Sequence, residues 1–200
     1  LAATLALDDV LHRVVDAAAG LFPSSVSRVW LVDDDGRHVS LRASAGGTAS
    51  LQGLEKFAIG RGFSGVVVAT GAPLTIEDVA ADPRAANRDH LRAEGLVSYA
   101  GMPLVKGGRV LGALSIITRE PHAYTAEELE FLAALAGHAA IAIDNARLYQ
   151  RAEERAQKLG ALSALTALMA SAAESREVFQ AIARESTKLL RAKVSHVWVD

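Results

Sequence analysis

SYAGMPLVKGGRVLGALSIIT, residues 98–118, decides the fold. Two apolar runs, Tyr99–Val105 and Val110–Ile117, flank Lys106-Gly107-Gly108-Arg109. The glycine pair supplies the positive φ that a tight hairpin turn requires. The runs are too short for free-standing helices and rich in Val, Ile and Leu. They read as two antiparallel strands, apolar on both faces and therefore central in a sheet covered from both sides. Pro103 removes a ladder donor and belongs at an edge or a bulge. The small residues Ala100, Gly101, Gly112, Ala113 and Ser115 leave room above these strands, either for a packed helix or for a ligand.

Outward from the hairpin the chain falls into alternating elements. Leu1 to Leu21 carries an apolar stripe of Leu5, Val10, Leu11, Val14, Val15, Ala18 and Leu21, which predicts an amphipathic helix. Val26–Val32 is a strand, Asp33-Asp34-Asp35-Gly36 a turn, and His38–Ala45 the return strand. The three aspartates supply only half of a calcium-loop ligand set, so a solvated turn is the plainer reading. Phe57–Ile59 and Pro73–Ile76 read as short strands, with helices over 62–70 and 83–94. Gly60-Arg61-Gly62 fits neither the dinucleotide fingerprint nor the Walker pattern. After the hairpin, Thr125-Ala126-Glu127-Glu128 has the capping-box spacing and opens a long helix. It runs to about residue 173, roughly 70 Å at 1.5 Å per residue. A heptad seam follows Ile141, Asn145, Leu148, Ala152, Arg155, Leu159, Leu162, Thr166 and Met169, a usable coiled-coil register with polar interruptions. Gly160 costs that helix only about 1 kcal/mol. The predicted class is α+β: a mainly antiparallel sheet of about six strands, terminal helices on one face, loops and short helices on the other.

Half of the 200 residues are hydrophobic, enough for a sizeable core. The formal charge of −2 leaves no footprint for nucleic acid or an anionic membrane. With no cysteine, disulfides, thiolate catalysis and Cys-ligated metals are excluded. No apolar run approaches membrane-spanning length. Leu1 in place of an initiator methionine, and an ending within an apolar strand, are what a fragment would show. None of the six histidines lies in a recognisable catalytic motif, so the expectation is a non-catalytic chain. The end of the chain also repeats its beginning. At an offset of 168 residues, Val178, Leu189, Val194, Ser195, Val197 and Trp198 match Val10, Leu21, Val26, Ser27, Val29 and Trp30. A helix-plus-strand opening is copied without a gap, so a second domain is expected to start here.

The ordered pieces GFSGVVVATGAPLTIEDVAADPR, LRAEGLVSYAGMPLVKGGRVLGALSII and YTAEELEFLAALAGHAAIAIDNARLY together resemble the GAF domain of bacterial signalling proteins. The resemblance covers roughly residues 1–150. It implies a sensor domain over 1–150, a signalling helix over 151–173 and the truncated start of a second GAF-like domain over 174–200. It further implies a cytoplasmic multidomain signal-transduction protein, homodimeric through its terminal helices, with a histidine kinase as the expected output and a diguanylate cyclase, phosphatase or transcription activator as the alternatives. A small molecule would be held between the sheet and the 76–97 segment. The residues placed to face it are Trp30, Phe63, Asp78, His90, Leu91, Tyr99, Met102 and Ser115. Trp30, Phe63 and Met102 also read as plain core, His90 as part of an exposed helix face, and Asp78 as a turn cap. The ligand is unidentified. Haem-binding relatives use a histidine in this region, for which His90 is the candidate; a bilin thioether is excluded without cysteine. Asn87-Arg88 matches only the start of the cyclic-nucleotide signature of the phosphodiesterase type. The alternative is a dimerisation and relay module that binds nothing.

Overall fold

A computed structural model describes residues 2–22, 25–47, 55–171 and 176–190. The chain divides into two units, Leu1–Arg147 and Leu148–Asp200. In chain order the elements are α1 (Ala2–Ala19), β1 (Val26–Val32), β2 (His38–Ala45), β3 (Lys56–Ala58), α2 (Gly62–Thr70), β4 (Leu74–Ile76), α3 (Arg88–Ala93), β5 (Ser98–Lys106), β6 (Arg109–Thr118), α4 (Ala126–Ser171) and α5 (Arg176–Leu190).

The hairpin forms as its sequence requires. Lys106 pairs with Arg109 across Gly107 and Gly108, whose φ angles of 57° and 76° fit a two-residue turn of the mirror-image type. It is the centre of a six-stranded antiparallel sheet in the order β3-β2-β1-β6-β5-β4. β4 pairs only with Tyr99–Gly101, so Pro103 sits where that side of β5 has no strand partner and its missing N–H is tolerated.

Strand alternation sends side chains to two separate cores. Val29 and Leu31 of β1, Ala100, Met102 and Leu104 of β5, and Leu114 and Ile116 of β6 pack against α1 and α4. From those helices come Leu11, Val14, Val15 and Ala18, then Leu132, Ala136, Ala140 and Ile143. Val26, Trp30, Tyr99, Ala113 and Ile117 point the other way, beneath Phe63, Val67 and Val68 of α2 and Leu91 of α3. The small hairpin residues therefore serve both faces. Gly112 lies against the Trp30 carbonyl and Leu31, while Gly101 lies under the Tyr99 ring.

The capping box at α4 is reciprocal. The Glu128 backbone N–H donates to Thr125 Oγ1 at 3.3 Å, and the Thr125 N–H donates to Glu128 Oε2 at 2.8 Å. Two expectations are corrected. The helix expected over 83–94 shrinks to Arg88–Ala93, because Asp78 and Asp82 accept backbone N–H bonds from Ala80, Ala81 and Arg84 and set turns instead. Leu21 is exposed, and Phe22 takes its place in the core.

The β1–β2 turn is held by Asp35. Its Oδ1 accepts the Arg37 N–H at 2.8 Å and its Oδ2 meets His38 Nδ1 at 2.6 Å. The Arg37 bond and then the His38 bond hold the carboxyl at about 2, below the usual 3.8. Since the folded value is the lower one, the turn's contribution is complete above pH 3.8 and is lost as pH falls through about 2. Amide exchange at residues 33–38 should accelerate over that window, and Asp35→Asn should remove the transition.

In the second unit every described side chain of the heptad seam from Leu148 to Thr166 is exposed. α4 passes through Gly160 without interruption, as expected. α5 spans Arg176–Leu190. The matching strand expected over residues 193–199 lies outside the described residues.

Candidate functional site

On the α2–α3 side of the sheet, apolar packing stops short of filling the space. β1 contributes Arg28 and Trp30, β5 contributes Tyr99, and β6 contributes Ile117. α2 covers them with Phe63 and Ser64, and α3 with His90 and Leu91. Phe57 and Asn87 close the sides. The cavity, open on one side, has a volume of about 70 Å³. α2 is held over the sheet because it ends sharply: Gly71 adopts φ 64° and its N–H donates to the Val67 carbonyl.

The wall is mostly aromatic. Trp30 and Phe57 ring centroids lie 4.6 Å apart, and those of Phe63 and Tyr99 5.1 Å apart. The Tyr99 hydroxyl shares a 3.1 Å hydrogen bond with Ser64 Oγ, and burial pushes its phenol well above the usual range, so it stays neutral. The one cation is Arg28, only 7% exposed. Its Nη2 lies 3.5 Å from His90 Nε2, and its Nε has no hydrogen-bond partner. Burial lowers its pKa, opposed by the charge of Glu94. That carboxylate is engaged instead by Arg119, 3.3 Å away. Burial and the neighbouring guanidinium also lower the His90 pKa, which keeps its imidazole neutral near pH 7 and able to accept from Arg28.

Of the eight residues expected to face a ligand, the structure brings Trp30, Phe63, His90, Leu91 and Tyr99 to this cavity. Three do not line it. Met102 sits on the opposite face, in the α1–α4 core, because it is one residue out of phase with Tyr99 and Gly101. Asp78 caps a turn by accepting the Ala80 and Ala81 N–H groups. Ser115 is buried in the central strand, its hydroxyl donating to the Arg28 carbonyl at 3.4 Å. Sequence reasoning passed over Arg28, Phe57 and Ser64, and took Asn87 only as the start of a cyclic-nucleotide signature. Arg28 carried a legible signal: a lone cation inside the otherwise apolar VSRVWLV strand. A haem does not fit here. The volume of about 70 Å³ is far below the ~300–1,000 Å³ of sites for larger ligands. The His90 nitrogen that would bind iron also faces a guanidinium.

A family model described as GAF domain matches residues 4–144. The chain is 29% identical over 143 residues to the Nif-specific regulatory protein of Azospirillum lipoferum, covering 68% of this chain and 23% of that one. It is 23% identical over 164 residues to a probable 3′,5′-cyclic phosphodiesterase of Caenorhabditis elegans, covering 77% of this chain and 22% of the relative. The chain thus spans less than a quarter of the length of these curated relatives. The solved GAF domain of a phosphoenolpyruvate-protein phosphotransferase from Coxiella burnetii superposes with a TM-score of 0.66 at 29% identity, covering 72% of this chain and 86% of that one. The two-layered cover of the antiparallel sheet and the family match over residues 4–144 lead to one assignment: the chain belongs to the GAF domain family.

Proposed function

We propose that residues 1–150 form the small-molecule sensor of a multidomain bacterial regulator. The long helix passes the sensor's state to an output domain, with a histidine kinase as the output, and the chain acts without catalysis of its own. The observation that supports this reading is the position of β1 between cavity and helix. Its Arg28 and Trp30 line the cavity, while its Val29 and Leu31 pack in the core that holds α4. Arg147 Nη2 of α4 donates to the Val32 carbonyl at the end of the same strand, 2.9 Å away. A ligand that shifts β1 therefore acts directly on the helix, the kind of packed, two-position element through which such signals pass. In this reading residues 151–173 are the signalling helix, α5 opens a second GAF-like domain, and two copies associate along the exposed seam of α4.

The small cavity volume favours one second reading, a relay and dimerisation module that takes no ligand. A library of fragments of about eight heavy atoms or fewer, spanning neutral, cationic and anionic members, separates the two. The sensor reading expects some fragment to perturb the amide resonances of Arg28, Trp30, Phe63 and His90 saturably. Silence of that set across the whole library would establish the relay-only reading.

A further inference from the structure

Among the described residues Arg28 is a buried charge without an ion-pair partner. Among the described residues no carboxylate makes an ion pair with it, since Glu94 is bound to Arg119. Its contacts are a neutral imidazole at 3.5 Å and, at Nε, nothing. Burying a charged group is costly unless hydrogen bonds and a counter-charge compensate it, and a guanidinium does not escape by losing its proton. The lining of the cavity contains one cation and no acidic residue. The compensating partner that fits is thus a single negative charge, because a dianion would be left half-neutralised against one guanidinium.

We propose that this cavity binds a short-chain monocarboxylate, its carboxylate held by the Arg28 guanidinium and its alkyl end against Trp30 and Phe63. This deepens, and rests on, the sensor reading of the same cavity. The planar fork of a guanidinium matches a carboxylate in shape, and the Nε–H, buried without a partner, gains one if the side chain turns toward the bound anion. Around it the walls are aromatic and aliphatic, which suits a hydrocarbon tail and disfavours a ligand that is polar all round. The volume of about 70 Å³ limits the tail to a few atoms. His90 sits at the charged end and can stay hydrogen-bonded to Nη2 as the anion arrives.

The test is a titration of the ¹⁵N-labelled full chain with sodium acetate and sodium propionate at matched ionic strength, reading the Arg28 Nε–H resonance. Propanol, propylamine and inorganic phosphate serve as controls. The expected result is saturable movement of that resonance by propionate, with a midpoint on the order of millimolar for so small a ligand. Arg28→Lys keeps the charge but loses the fork, and should weaken binding by about tenfold or more. Arg28→Met should abolish it with an unchanged amide spectrum elsewhere; should that variant unfold, the wild-type and Arg28→Lys titrations decide. Propanol binding as tightly as propionate would overturn the proposal and leave the sensor reading standing. Tighter binding by phosphate would overturn it likewise. If neither carboxylate moves the Nε–H resonance, the proposal is wrong, and the fragment library then judges the sensor reading separately.

Discussion

Gly112→Ala is expected to lower the stability of the first unit by about 3 kcal/mol or more, the upper end of overpacking costs. A Cβ built at this position lies 2.0 Å from the Trp30 carbonyl oxygen and 3.0 Å from Leu31 Cα. Both obstacles are backbone of the neighbouring strand, which no rotamer change removes. β6 pairs with β1 on one side and β5 on the other, so the strain enters the middle of the sheet. For a domain of this size the melting temperature should fall by about 10 °C. Gly107→Asn is the control: its φ of 57° is one that Asn tolerates, and nothing lies within 4 Å of its Cβ position. It should melt close to the wild type in circular dichroism. A Gly112→Ala protein that also melted there would contradict the tight β1–β6 packing.

Leu159→Glu combined with Leu162→Glu is expected to convert the proposed dimer to monomer. In the single chain these leucines are 66% and 53% exposed, and Leu148 on the same seam is 54% exposed. Apolar stripes of this kind are uncommon on surfaces that remain in water. Fully burying one leucine is worth about 1.5–3 kcal/mol, and a symmetric pair of helices would bury both residues twice. Introducing charge should raise the dissociation constant by about 100-fold or more. Sedimentation equilibrium measures this directly. An unsubstituted chain that stays monomeric at high concentration would rule out association through this seam.

The parts of the fold readable in advance were those where one local rule acts alone. The Gly107-Gly108 turn, the Thr125–Glu128 capping box and the unbroken helix α4 each depend on residues close in sequence. The 83–94 segment was misread because Asp82 takes the Arg84 backbone donor from the helix, after Asp78 has already set a turn at Ala80 and Ala81, and propensity does not show which side wins. The site was only half legible for a different reason. Alternation along β5 separates Tyr99 from Met102 onto opposite faces, but the sequence alone does not say which face carries the cavity. Ser115 looked like spare room and is occupied by a strand-to-strand hydrogen bond. Arg28 acquires its meaning only when α3 places His90 beside it and Arg119 draws Glu94 away.

In the sensor we propose, β1 carries occupancy of the cavity to α4. Hydrogen exchange of α4 tests it, with the cavity saturated by the tightest fragment found and with the cavity empty. The account predicts a change in protection at residues 139–147, where Ala139, Ala140 and Ile143 pack in the core that receives Val29 and Leu31 and where Arg147 holds Val32. Arg147→Ala should reduce that change while leaving fragment affinity intact. Protection that changes in α2 and α3 alone, with residues 139–147 indifferent to occupancy, would contradict it.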